Sequence, residues 1–149
     1  MSATDTLLNA GSDAPNFTAK TTDGDTVSLQ DFRGRQNVLL MFYPKDDTPG
    51  CTKQMCTARD EGAEYTAANV ARFGVNDGSM VSHRRFRDKY ELDFPLILDE
   101  GGEIARAFGT QKENGGTARS TFLIDTNGRI VFAAPGAHGA AEVLEALRA

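Results

Sequence analysis

Apolar residues in this chain fall into short runs with two different periods. Asn37-Val38-Leu39-Leu40-Met41-Phe42-Tyr43 is continuously apolar after its first residue and stops at Pro44, the pattern of a strand buried on both faces. Asn69 to Val75 alternates like a strand, and Phe94 to Asp99 reads as a short extended segment. Ser120–Asp125 and Arg129–Ala133 flank Thr126-Asn127-Gly128, a strong hairpin signal. A second hairpin is predicted near the start, from Ala14–Lys20 and Thr26–Leu29 around an Asp23-Gly24 turn. Helical stretches are predicted from Pro49 to about Tyr65, from a cap at Asp77 or Ser79 to about Tyr90, from Glu103 to Phe108 with Gly109 closing it, and from Ala140 to Leu147. Strands alternating with helices, followed by an antiparallel hairpin and a helix, predict an α/β fold with a mixed central sheet. A length of 149 residues suits one domain spanning 1–149.

Charge and composition narrow the function classes. The formal net charge of −5 argues against a nucleic-acid surface, which needs an excess of Lys and Arg on one face. The basic run His83-Arg84-Arg85-Phe86-Arg87-Asp88-Lys89 is expected to be a solvated helix face. Met1 to Leu8 lacks the basic and apolar regions of a signal peptide, and nowhere do about 18 apolar residues run together. A soluble, cytoplasmic chain with no membrane partner is expected. Glu113-Asn114-Gly115-Gly116-Thr117 reads as a mobile loop.

Chemistry enters with the only two cysteines, Cys51 and Cys56. Thr48 is placed to serve as N-cap and Pro49 as the first helical residue, which puts Cys51 in the first turn. Unpaired N–H groups and the positive end of the helix dipole favour a thiolate there, and a thiolate is a nucleophile. Residues five apart on a helix are separated by roughly 8–9 Å between Cα atoms, whereas a disulfide needs less than about 7 Å. Joining the two thiols therefore requires the helix to unwind. Spacing alone leaves two readings of Cys56 open, a redox partner of Cys51 or a buried small apolar residue. Zinc is disfavoured, because the spacing is Cys-x4-Cys and only His83 and His138 remain as nitrogen ligands. Both histidines are expected at the surface.

Pro44-x-x-x-Thr48-x-x-Cys51 matches the active-site signature of peroxiredoxins. With its flanks, Phe42-Tyr43-Pro44-Lys45-Asp46-Asp47-Thr48-Pro49-Gly50-Cys51-Thr52-Lys53 and Cys56, it resembles the peroxiredoxin Q or bacterioferritin comigratory protein subfamily. The resemblance extends through Ala14-Pro15-x-Phe17, Phe94-Pro95-Leu96 and Arg119-Ser120-Thr121-Phe122-Leu123-Ile124-Asp125. It implies a thioredoxin-like fold and a thiol peroxidase acting on hydrogen peroxide and organic (alkyl) hydroperoxides without metal, haem or flavin. In that reading Cys51 is the peroxidatic cysteine, and Cys56 is the resolving cysteine that forms an intramolecular disulfide with it. Thr48 holds the peroxide, Arg119 stabilises the thiolate and the developing oxygen charge, and Pro44 covers the pocket. Thioredoxin or a similar dithiol recycles the disulfide, and a monomer is expected because resolution stays within one chain. The Gly-Gly-Leu-Gly and C-terminal Tyr-Phe elements tied to overoxidation are absent, so comparative resistance to sulfinic acid formation is expected. Where many relatives continue Gly-Val-Ser, this chain has Gly74-Val75-Asn76-Asp77, a departure expected to leave the catalytic residues untouched and to alter the local surface. Arg59 is expected to pair with Asp60 if it does not serve the site.

Overall fold

The computed structural model describes residues 7–148. Residues 1–6 and 149, the ends of the single domain expected from the sequence, lie outside the described residues. Seven strands are described: β1 (Thr18–Lys20), β2 (Thr26–Ser28), β3 (Asn37–Phe42), β4 (Val70–Asn76), β5 (Leu96–Leu98), β6 (Ser120–Ile124) and β7 (Ile130–Pro135). The helices are α1 (Pro49–Asp60), α2 (Gly62–Ala67), α3 (Met80–Lys89), α4 (Glu103–Ala107) and α5 (Ala140–Glu145), the last followed by a 3-10 turn over Ala146–Arg148. A five-stranded sheet has the order β5-β4-β3-β6-β7, and β1 and β2 form a separate antiparallel hairpin.

The central strand β3 runs parallel to β4 and antiparallel to β6, with Leu40 opposite Phe73 on one side and Phe122 on the other. Its apolar run is continuous because both faces are covered. Leu39, Met41 and Tyr43 join the core formed with α1, α2, α3 and α5, through Met55, Tyr65, Phe86 and Val143. Val38, Leu40 and Phe42 join the core on the opposite face with Phe73, Ile104, Phe108 and Phe122. The period of two along a strand thus divides one apolar run between two cores.

Three sequence expectations need correction. The helix predicted from Pro49 to Tyr65 is broken at Glu61, whose ψ of 12° leaves the helical range. The cause is tertiary. At Gly62 a Cβ would lie 3.0 Å from the Arg72 guanidinium, and Arg72 donates to the Ala58 carbonyl (2.9 Å) and to both Asp93 carboxylate oxygens, while Glu61 turns to accept from the Ala140 N–H of α5. His83 is fully buried, not at the surface, because its ring is enclosed by the polar partners described below; His138 is half-buried. The basic run is also more than a solvated face, since Arg84 and Arg87 both donate to the Thr22 carbonyl and tie α3 to the N-terminal hairpin.

Candidate active site

Strand β3 ends at Phe42, and the chain turns through the loop Tyr43 to Thr48 into α1. Thr48 occupies the N-cap position with extended backbone (φ −100°, ψ 153°), and Pro49 opens the helix. Its side chain does not cap. The Thr48 hydroxyl donates instead to the Lys45 carbonyl at 2.9 Å, closing the loop on itself. Pro49 has no N–H, so the free first-turn donors are those of Gly50 and Cys51.

Cys51 is completely buried in the core cluster with Tyr43 and Met55. Arg119, just before β6, reaches across to it and places Nη2 3.3 Å from Sγ. The same guanidinium donates through Nη1 to Gln54 Oε1 at 2.6 Å, so its fork is oriented by a residue one helical turn after Cys51. Gln54 is itself buried, and its Nε2 lies 3.5 Å from the Phe42 carbonyl. Glycine at position 50 leaves room for this approach, since a Cβ there would lie 3.0 Å from Arg119 Nη2. A cationic donor thus lies against a sulfur in the first turn of a helix, an arrangement suited to meet negative charge that develops at the sulfur or on an oxygen beside it.

Cys56 lies five residues further along α1, half-buried, and both cysteines are free thiols. At that spacing the two thiols cannot bond within an intact helix. Pro44 is half-buried at the head of the loop. Its carbonyl accepts from Asn76 Nδ2 at 2.9 Å, as does that of Tyr43 at 2.8 Å. Arg59 makes its expected pair with Asp60 (3.0 Å) and also donates to the Tyr90 carbonyl at 2.6 Å. A cleft of about 400 Å³ adjoins Arg119, lined among others by Met41, Gly50, Gln54, Thr57 and His138. Another of about 500 Å³ lies at the far end of β3, by Val38, Ile124 and Gly128, away from either cysteine. Among the described residues, no group of three or more His, Cys, Asp or Glu side chains is placed to hold a metal ion.

A model described as the AhpC/TSA family matches residues 10–133. The chain belongs to that family and is a peroxiredoxin. It is 40% identical over 127 residues to the chloroplastic peroxiredoxin Q of Oryza sativa subsp. japonica, covering 84% of this chain and 58% of that protein. It is 39% identical over 130 residues to a protein described as peroxiredoxin bcp in Coxiella burnetii, covering 83% and 85% respectively. A solved structure of the Xanthomonas campestris bacterioferritin comigratory protein, described for its alkyl peroxide reduction activity, superposes with a TM-score of 0.83 at 30% identity over 94% of this chain and 98% of that one. The thioredoxin-like fold expected of a peroxiredoxin, with its mixed sheet and N-terminal hairpin, is the one found. This peroxiredoxin spans 58% of the length of the rice relative.

Sequence reading missed several residues around the peroxiredoxin's thiol. Gln54 had a signal in its spacing, three residues after Cys51 on the same helix face. Asp46, Asn76 and His83 had none, because they meet only through the packing of α3 and β4 against the loop. The Gly74-Val75-Asn76-Asp77 departure reaches below the surface at Asn76, which is 2% exposed and holds the loop's first carbonyls, while Asp77 is exposed.

Proposed function

We propose that this peroxiredoxin is a thiol-dependent peroxidase with an intramolecular two-cysteine cycle. The observation that carries the proposal is the Arg119 guanidinium 3.3 Å from a buried thiol in the first turn of a helix. The Cys51 thiolate attacks the terminal oxygen of ROOH, so that the S–O bond forms as the O–O bond breaks. The departing RO⁻ takes a proton and leaves as ROH, or as water when the substrate is hydrogen peroxide. Arg119 and the first-turn N–H groups meet the charge that moves onto oxygen. Thr48 holds the peroxide through its hydroxyl, and Pro44 shields the sulfenate. The Cys56 thiol then attacks the Cys51 sulfenic acid, water leaves, and a Cys51–Cys56 disulfide remains. A dithiol such as thioredoxin reduces it by exchange.

Hydrogen peroxide and alkyl hydroperoxides are the proposed substrates. The activity described for the Xanthomonas campestris relative supports the second class. Because both thiols lie on one helix, the cycle needs no second subunit, and a monomer in a reducing, cytoplasmic setting is proposed. Among the described residues, no helix is long and apolar enough to cross a membrane.

The test is peroxide consumption with a thioredoxin system by wild type, Cys51→Ser and Cys56→Ser. The expected result is many turnovers in wild type, none in Cys51→Ser, and one dithiol-insensitive oxidation in Cys56→Ser. A wild type that consumes a single equivalent and stops with every dithiol supplied would overturn the proposal.

A further inference from the structure

The loop carrying Pro44 and Thr48 is irregular, and its shape is imposed by side chains from elsewhere. Asp46 is 9% exposed, and its carboxylate accepts from Tyr43 Oη (2.7 Å), Ser82 Oγ (2.7 Å) and His83 Nδ1 (2.6 Å). The other ring nitrogen of His83 faces the carbonyls of Asn76 (3.1 Å), the last residue of β4, and Ile97 (3.2 Å) in β5. Oxygen atoms thus face both ring nitrogens, and the ring is held between the Asp46 carboxylate and two strand carbonyls. Burial pushes the Asp46 carboxyl up, and the bonds from His83, Tyr43 and Ser82 outweigh it and hold the group below the usual carboxylate range.

Asn76 completes the set. Its Oδ1 accepts from the Gly78 N–H at 2.8 Å, which fixes the amide so that Nδ2 points at the Tyr43 and Pro44 carbonyls. Gly78 is pressed onto the same cluster, since a Cβ there would lie 2.9 Å from Asn76 Oδ1, 3.0 Å from His83 Cε1 and 3.2 Å from Asp46 Oδ2. At the other end of α3, Tyr90 Oη (2.6 Å) and Lys89 Nζ (2.9 Å) hold the Asp47 carboxylate. Asp47 sits at a φ of 57°, in the left-handed region that few residues besides glycine, asparagine and aspartate adopt. Helix α3 and the residue after it therefore hold the loop at Asp46 and Asp47, and Asn76 of β4 holds it at Tyr43 and Pro44.

We propose that Asn76 and the buried Asp46–His83 pair are positioning residues, which set the rate of peroxide attack by holding Pro44 and Thr48 in place without touching the peroxide. This rests on the peroxidase reading of Cys51. Its chemical basis is that an attack needing an aligned O–O bond tolerates little displacement, with losses of about 100-fold for about 1 Å. Alkylation by iodoacetamide needs the same thiolate but no held peroxide.

The experiment measures single-turnover rate constants of the reduced full chain with hydrogen peroxide and with iodoacetamide. The variants are Asn76→Ala, His83→Asn, Ser82→Ala and Thr48→Val. Asn76→Ala and His83→Asn are expected to lose about 10- to 100-fold with peroxide while alkylation holds. In the Thr48→Val background the same substitutions are expected to cost far less, because they act through Thr48. A parallel loss with both reagents, or full additivity with Thr48→Val, overturns the inference. Ser82→Ala removes one of three donors to Asp46 and tests the point should His83→Asn fail to fold; an unchanged ratio of the two rate constants there also overturns it. A wild type inert to peroxide would instead defeat the peroxidase reading, whereas a reactive wild type with unchanged ratios in the variants defeats the positioning inference alone.

Discussion

Replacing Lys53 by alanine or by glycine tests whether the two thiols meet by melting the helix that carries them. Lys53 lies between Cys51 and Cys56 in α1 and is exposed, so both variants lose the same charge and differ in backbone preference. Glycine is about 1 kcal/mol less favourable than alanine inside a helix, and an unwound segment shows no such penalty. The balance between helical and open forms of residues 51–56 therefore shifts by about 1 kcal/mol, or about fivefold at 25 °C. Since the chain has no tryptophan, the assay is rapid acid quench, alkylation and mass analysis of thiol, sulfenate and disulfide. The peroxide-independent resolution step is expected to run about fivefold faster in Lys53→Gly than in Lys53→Ala. The peroxide-dependent attack, which uses the helical form, is expected to change little between them. Slower resolution leaves the sulfenate open to a second peroxide, so Lys53→Ala is also expected to accumulate more sulfinic acid. Equal resolution rates in the pair would refute the argument, because the thiols would then be joining without the unwinding that a helical separation of roughly 8–9 Å demands.

Removing the cation at the sulfur with Arg119→Met is expected to slow single-turnover oxidation by about 100- to 1,000-fold; Gln54→Leu, which releases one arm of the fork, is expected to cost about tenfold. Gly74→Ala is expected to lower stability to urea by about 1–3 kcal/mol, because the added Cβ would meet Leu96 Cδ2 at 2.6 Å and Met55 Sδ and Tyr43 Cε1 at 3.2 Å; an unchanged midpoint would refute the packing argument. For His138, burial pulls the imidazole pKa down, and bonds to the Pro135 carbonyl and the Glu142 carboxylate outweigh it and hold it above the ordinary value. Its stabilisation is therefore full below the ordinary imidazole pKa of about 6.5 and fades as pH rises through the higher folded value. Melting temperatures of wild type and His138→Gln are expected to converge as pH rises, and a gap that stays constant would refute this.

The elements that could be read from the sequence are those set by local pattern. The run Val38 to Tyr43 showed a strand buried on both faces, and Thr126-Asn127-Gly128 marked its hairpin through a glycine that takes a φ of 80°. Ser79 was a readable cap, and its hydroxyl accepts the Ser82 N–H at 3.2 Å. Thr48 had the same signature, and only its position is that of a cap, because its hydroxyl finds the Lys45 carbonyl first. The break at Glu61 was illegible, since its cause lies in Arg72 on β4 and in the start of α5. His83 was misjudged for a related reason: in a run of arginines it looks like one more solvated cation. Its burial is evident only once Asp46, Asn76 and Ile97 are brought around it by three different elements.

The ties along α1 are divided in a way that suits the proposed cycle. Its C-terminal end is fastened by groups that oxidation leaves alone: Arg72 to the Ala58 carbonyl, Arg59 to that of Tyr90, and Glu61 to the N–H of Ala140. Its N-terminal end packs into the core through Cys51 and Met55, and its polar ties are Gln54 to the Phe42 carbonyl and Arg119, which bonds both Cys51 and Gln54. A thiolate is the strongest acceptor that guanidinium can meet at Sγ, and conversion to a neutral sulfenic acid removes the charge that draws it in. In the proposed cycle the group that activates the nucleophile would thus also be a tether of the helix, and it would slacken once the nucleophile has been used. Melting then has a natural stop at Ala58, just beyond Cys56, so the segment that must open for resolution is the one whose anchor oxidation weakens.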